Sequence, residues 1–154
     1  MNKKNLSLKE IFVEAYKSYK KKDLKTAENH CYKILSIDPY HFDSTFLLAT
    51  ISAMNNNFEK AKHLLLKAIE IDPKNVNALS NLGTAYTELG ESKEAVNYFN
   101  KVLEIDPNHT NANYSLGVTY YRLKDFYSIE MGTYFAMRMA YQDAVKEYLL
   151  YLEK

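Results

Sequence analysis

The residues of this chain that could hold a metal or attack a substrate are four histidines, one cysteine and a scatter of carboxylates. His30, His41, His63 and His109 contain no pair four residues apart, and none stands beside a second ligand at helical spacing. A metal site needs several donors converging on one point, so none is expected. Cys31 has no second cysteine to bond and sits in an apolar helical pattern, where a thiol is a small core residue. There is neither a glycine-rich phosphate loop nor a nucleophile elbow. Carboxylates alternate with lysines, as in Glu59, Lys60 and Lys62, the pattern of a solvated helix face. The expectation is no catalytic residue, no metal, no cofactor and no enzyme. What remains is contact chemistry, carried by asparagine amides and by 14 tyrosines and seven phenylalanines.

The elements that position these groups are constrained by composition. At 154 residues the chain has the length of one domain. A net charge of +1 gives no reason to expect nucleic acid or an anionic membrane as partner, and Lys20-Lys21-Lys22 reads as a solvated helix end. MNKKNLSLKEIF lacks the apolar region of a secretory signal, and no stretch reaches the 18 apolar residues of a membrane span. A soluble, cytoplasmic protein is expected. Four glycines and three prolines are too few for a loop-rich all-β fold.

Those prolines, Pro39, Pro73 and Pro107, lie 34 residues apart, each after Ile-Asp. A fixed period of this size marks a repeat architecture. Units begin at Leu8, Phe42, Val76 and Thr110, giving spans 8–41, 42–75, 76–109 and 110–154 of a single domain. In the third, Leu79, Leu82, Gly83 and Tyr86 share one helix face, and Ala95, Phe99 and Val102 share another, with a turn at Gly90. Small residues (Ala15, Ala49, Gly83 and Gly117; Ala27, Ala61 and Ala95) let the two helices of a unit approach closely. Asp-Pro ends each second helix, because the residue before proline is pushed out of the α region.

These residues resemble the tetratricopeptide repeat, a helix–turn–helix unit of 34 residues, over about positions 8 to 123. Leu79, Leu82-Gly83, Tyr86, Ala95, Phe99, Val102 and Pro107 stand at the family's places. The second unit matches with Leu48-Ala49, Ala61, Leu65, Ala68 and Pro73, and the first more weakly. The resemblance implies an all-α superhelix whose stacked units share one core. It also implies a protein-binding function, with partner peptides lying on the first helices. At the family's contact positions stand Phe12 and Tyr16 in the first unit and Phe46, Leu47 and Thr50 in the second. Asn77, Asn81 and Thr84 follow in the third, and Asn111, Tyr114, Ser115 and Val118 in the fourth. Neighbouring contact places fall on Tyr19, Asp43, Ser80 and Thr87, among others. The early end is apolar and aromatic, suited to an anchor residue or amphipathic helix. The later end is rich in amides, which donate and accept. Family members that grip an acidic carboxyl terminus place lysine, arginine and asparagine in this groove. Over the first three units such places hold Phe12, Tyr16, Leu47, Asn77 and Asn81, and over the last three Phe46, Thr50, Asn81, Asn111 and Ser115; neither set supplies the cations, so strong binding to an acidic tail is not expected.

After Arg122 the rhythm fails. Ile129 stands where the family has alanine, and YQDAVKEYLLYLE, a good second helix, comes 15 residues late. Tyr127, Tyr134, Tyr141 and Tyr148 recur every seven residues, with Met131, Arg138, Val145 and Leu152 four beyond each. The seam predicts one long helix from about Phe126 to Glu153, ~42 Å at 1.5 Å per residue. Its apolar stripe needs a cover. Either a second copy pairs with it, through a two-fold dimer or an exchanged segment, or it folds back as a hairpin on its own chain. The partner expected is therefore a protein or peptide bound in the groove, with homo-oligomerisation through this helix. In the alternative, an assembly module, the helix and not the groove is the working surface.

Overall fold

In the computed structural model, residues 7–126 and 145–146 are described. The chain divides at Pro73 into two compact units. The first holds α1 (Leu8–Lys20), α2 (Leu24–Leu35), α3 (Phe42–Met54) and α4 (Phe58–Ile71). The second holds α5 (Val76–Glu88), α6 (Ser92–Ile105) and α7 (Thr110–Phe126). All regular structure among the described residues is helical, an all-α repeat solenoid fold. None of the described helices is long and apolar enough to cross a membrane.

Every described helix except α6 starts on a side chain that accepts the otherwise unpaired amide of its first turn. Ser7, His41 and Asn75 cap α1, α3 and α5 from positions 34 apart, accepting from Glu10 N (3.3 Å), Ser44 N (3.2 Å) and Ala78 N (3.0 Å). His109, the next in the series, accepts from Ala112 N at 3.1 Å. Ser7 and Glu10 complete a reciprocal capping box. Asp23 and Asn57 cap α2 and α4 in the same way. The bond from Thr26 holds the Asp23 carboxyl below the usual carboxylate range. Two of the histidines are thus cap residues, with Nδ1 as the acceptor.

A second periodic feature lies in the turns inside the helix pairs. Lys22 (φ 62°), Asn56 (φ 56°) and Gly90 (φ 78°) all adopt the left-handed conformation, again at 34-residue intervals. The next position is Lys124, and there the chain stays helical. As a result α7 has 17 residues, against 13 in each of α1, α3 and α5. Lys124 lacks the αL tolerance of glycine or asparagine. Lys22, however, adopts αL, so residue type alone does not decide the outcome.

Asp72 and Asp106 leave the helical region as C-caps of α4 and α6, with φ near −130°, as Asp-Pro requires. In α2 the helix ends earlier, at Leu35. Ser36 Oγ donates to Lys33 O (2.7 Å), and Ile37 N donates to Ile34 O in a tighter turn.

In the first unit, Ala15, Ala27, Cys31, Ile34, Leu48, Ala49, Ile51, Ala61 and Ala68 are fully buried. The paired alanines bring the backbones of α1 and α2, and of α3 and α4, close together. Helix α3 packs against α1, α2 and α4. Accordingly it is apolar on nearly all sides rather than amphipathic. In the second unit the close approach belongs to Gly83. A Cβ there would meet Phe99 Cε1 at 2.7 Å, inside contact distance, and Phe99 is fully buried.

Candidate binding surfaces

The first-unit surface is built between α1 and α3. Phe12, Tyr16 and Tyr19 come from α1 at helical spacing; Asp43, Phe46, Leu47 and Thr50 come from α3. They line an open concavity of about 410 Å³. His41 supports it twice, capping α3 and packing its ring on Phe12 at 5.6 Å between centroids. Phe42 stacks on Phe46 (5.7 Å), and Tyr16 lies 5.9 Å from Tyr19. The ammonium of Lys20 sits 5.3 Å over the Tyr16 ring. Thr50 Oγ1 donates to Phe46 O at 3.0 Å, so its proton is committed to its own helix. Tyr16 is 46% exposed, Leu47 only 5%: the rings form a wall and Leu47 a floor.

The sequence-derived positions Phe12, Tyr16, Phe46, Leu47 and Thr50 thus meet in one concavity, together with Tyr19 and Asp43. The second-unit positions behave differently. Asn77, Asn81, Thr84, Asn111 and Tyr114 are exposed along α5 and α7, while Ser115 and Val118 are half-buried. Ser80 and Thr87, at places where a ligand contact is expected, are buried. Thr87 Oγ1 lies 3.0 Å from Gly83 O and 3.0 Å from Thr119 Oγ1, which is 2.7 Å from Ser115 O. Two hydroxyl protons serve three distances, so two of these bonds form at once. Arg122 Nη1 donates to Thr87 O (3.2 Å) and pairs with Glu88 (3.5 Å). These bonds tie α7 to the end of α5. Buried threonines that link two helices carry no signal in a single repeat; only their 32-residue offset across neighbouring units could have marked them.

Among the described residues no reactive thiol or metal cluster accompanies either surface. Burial raises the Cys31 thiol to about 11, and the side chain is inaccessible. Among the described residues no group of three or more histidines, cysteines or carboxylates is arranged to hold a metal. Of the expected C-terminal seam, Tyr127, Met131, Tyr134, Arg138, Tyr141, Tyr148 and Leu152 lie outside the described residues. Val145 is helical and half-buried.

Two family models match the sequence. The tetratricopeptide repeat model covers residues 76–109 and a TPR repeat model covers 55–90. The chain thus carries tetratricopeptide repeats, matched over residues 55–109. Solved structures with the same fold include the crystal structure of MamA, 17% identical, with TM-score 0.79 over 96% of this chain and 82% of that one. A tetratricopeptide repeat protein from Parabacteroides merdae is 25% identical, with TM-score 0.77 over 96% of this chain and 54% of the other. The first TPR of Spaghetti (RPAP3), solved with the HSP90 peptide SRMEEVD, is 22% identical, with TM-score 0.73 over 76% of this chain and 93% of that one. No curated protein matches this TPR chain in sequence. The fold is that of a protein–protein interaction module.

Proposed function

We propose that this repeat protein is a non-enzymatic binding module that takes a peptide or helix of a partner protein on its first helices. The observation that carries the reading is the concavity between α1 and α3, where four rings stand around a space the size of one or two side chains. Burying a large side chain there would contribute about 1.5–3 kcal/mol. In the second unit the exposed amides of Asn77, Asn81 and Asn111 are suited to hold a peptide backbone while reading little of its sequence. Tyr16→Ala and the pair Asn81→Ala and Asn111→Ala are expected to weaken capture of a partner in pulldown. Undiminished capture by both variants would refute the reading.

The peptide bound to the Spaghetti TPR is acidic. In this chain the places that matter for an acidic tail hold Phe12, Tyr16, Leu47, Asn77 and Asn81 in the first three repeats, or Phe46, Thr50, Asn81, Asn111 and Ser115 in the last three, with no lysine or arginine among them. Calorimetry with the peptide SRMEEVD is therefore expected to show no binding in the micromolar range.

A second reading, self-association through the segment after α7, is favoured by one observation. The helix passes Lys124 without the left-handed turn found at Lys22, Asn56 and Gly90. An unbroken helix feeding the tyrosine seam would present a stripe that a second copy could cover.

A further inference from the structure

Concavities lined by aromatic rings accept either apolar or cationic side chains, and the two are separated by the charge at the rim. Four rings, those of Phe12, Tyr16, Tyr19 and Phe46, surround the concavity between α1 and α3, and its single charged lining residue is Asp43. Asp43 is exposed in the first turn of α3 and forms no ion pair among the described residues. We infer that this site takes the basic side chain, lysine or arginine, of a partner peptide. The inference rests on the peptide-binding reading above and names the residue the peptide must bring.

Three outcomes of filling the concavity can be compared. An apolar side chain would strip water from the Asp43 carboxylate and return no counter-charge, which is unfavourable for a group that must stay ionised. An acidic side chain would add like-charge repulsion. A basic side chain supplies the counter-charge, lays its methylenes along Leu47 and the ring edges, and places its cation against ring faces. The protein already displays this chemistry at the same place. Lys20 holds its ammonium 5.3 Å from the centroid of Tyr16, one of the four lining rings. It is an internal cation that a bound one would displace from that ring.

Peptides should be selected from a random display library against the full chain. Binding of the selected peptides is then measured by calorimetry with the wild type and with Asp43→Asn, Lys20→Ala, Tyr16→Ala and Phe46→Ala. The expected peptides carry lysine or arginine at a fixed place. Asp43→Asn should weaken them about tenfold, and Lys20→Ala, which removes the competitor, should strengthen them or leave them unchanged. Changing the peptide's basic residue to norleucine should cost about as much as Asp43→Asn. Peptides anchored by an apolar residue and bound equally by Asp43→Asn would overturn the inference while leaving the binding reading intact. Absence of any enriched peptide, or binding indifferent to both Tyr16→Ala and Phe46→Ala, would overturn both. Tyr16 is half exposed, so its variant tests the wall even where Phe46→Ala impairs folding.

Discussion

At the scale of single residues, Cys31 shows how burial silences a reactive group. Its thiol has no exposed surface and burial raises its pKa from 9.0 to about 11. A thiol-directed dye at pH 8 is expected to leave the native chain untouched and to label one site after unfolding. Linkage follows from the same shift. Between pH 9 and 11 the unfolded chain has lost the thiol proton and the folded chain retains it, so stability falls as pH rises through this window, by about 2–3 kcal/mol in all. Because lysines and tyrosines titrate there too, the measurement is the difference in urea midpoint against Cys31→Ala across the window. Equal slopes for the two proteins would contradict the account. Backbone conformation is the other residue-scale lever. At Gly90 an added Cβ meets nothing within 4 Å, so Gly90→Ala tests φ +78° alone and should cost about 1 kcal/mol. At Lys22 the same conformation strains a side-chain-bearing residue. Lys22→Gly should gain up to about 1 kcal/mol, the relief of strain less the added freedom of the unfolded chain. Chemical denaturation reads both, and a destabilised Lys22→Gly would show that the lysine side chain itself contributes to the turn.

At the scale of elements, the first helices begin at Leu8, Phe42, Val76 and Thr110. Those four starts were legible because an apolar helical pattern and an Asp-Pro stop are local signals that recur at one period. The meeting of Phe12 and Tyr16 with Phe46, Leu47 and Thr50 was legible only through the family resemblance, since nothing in the residues says which faces of α1 and α3 point together. His41 and His109 as caps were missed. Histidine is a rare cap, and its signal lay in standing at the Asn75 register rather than in its type. The burial of Ser80 and Thr87 was missed because both look polar in sequence, whereas Gly83 O lies within hydrogen-bond distance of the Thr87 hydroxyl inside its own helix. Gly83 was read correctly as a close approach, and the structure supplies the neighbour, Phe99. Gly83→Ala should cost about 1–3 kcal/mol, because a fully buried ring has nowhere to move. Pairing it with Phe99→Leu should recover part of that loss, and strictly additive losses in the double-mutant cycle would mean that the clash is not the cause.

At the scale of the whole molecule, the quantity to measure is how many copies work together. Seven of the eight seam residues after α7, all but Arg138 and four of them tyrosines, would expose an apolar stripe if left wet, and large exposed stripes are unusual on monomers. Each large side chain covered would contribute about 1.5–3 kcal/mol, so even partial burial against a second copy could exceed the entropy lost on association. A hairpin on the same chain would need a turn near Arg138 to Tyr141, where the sequence has no glycine, proline or asparagine. The predicted result is a light-scattering mass near twice 17.9 kDa at tens of micromolar, falling toward one copy on dilution. Tyr134→Lys with Tyr141→Lys, placing like charges across the seam, should shift the mass to a single copy without lowering the affinity of a peptide bound between α1 and α3. A single copy at every concentration would refute the dimer. Loss of peptide affinity in the charged variant would instead tie the two surfaces together, and the assembly would then be part of how the partner is held.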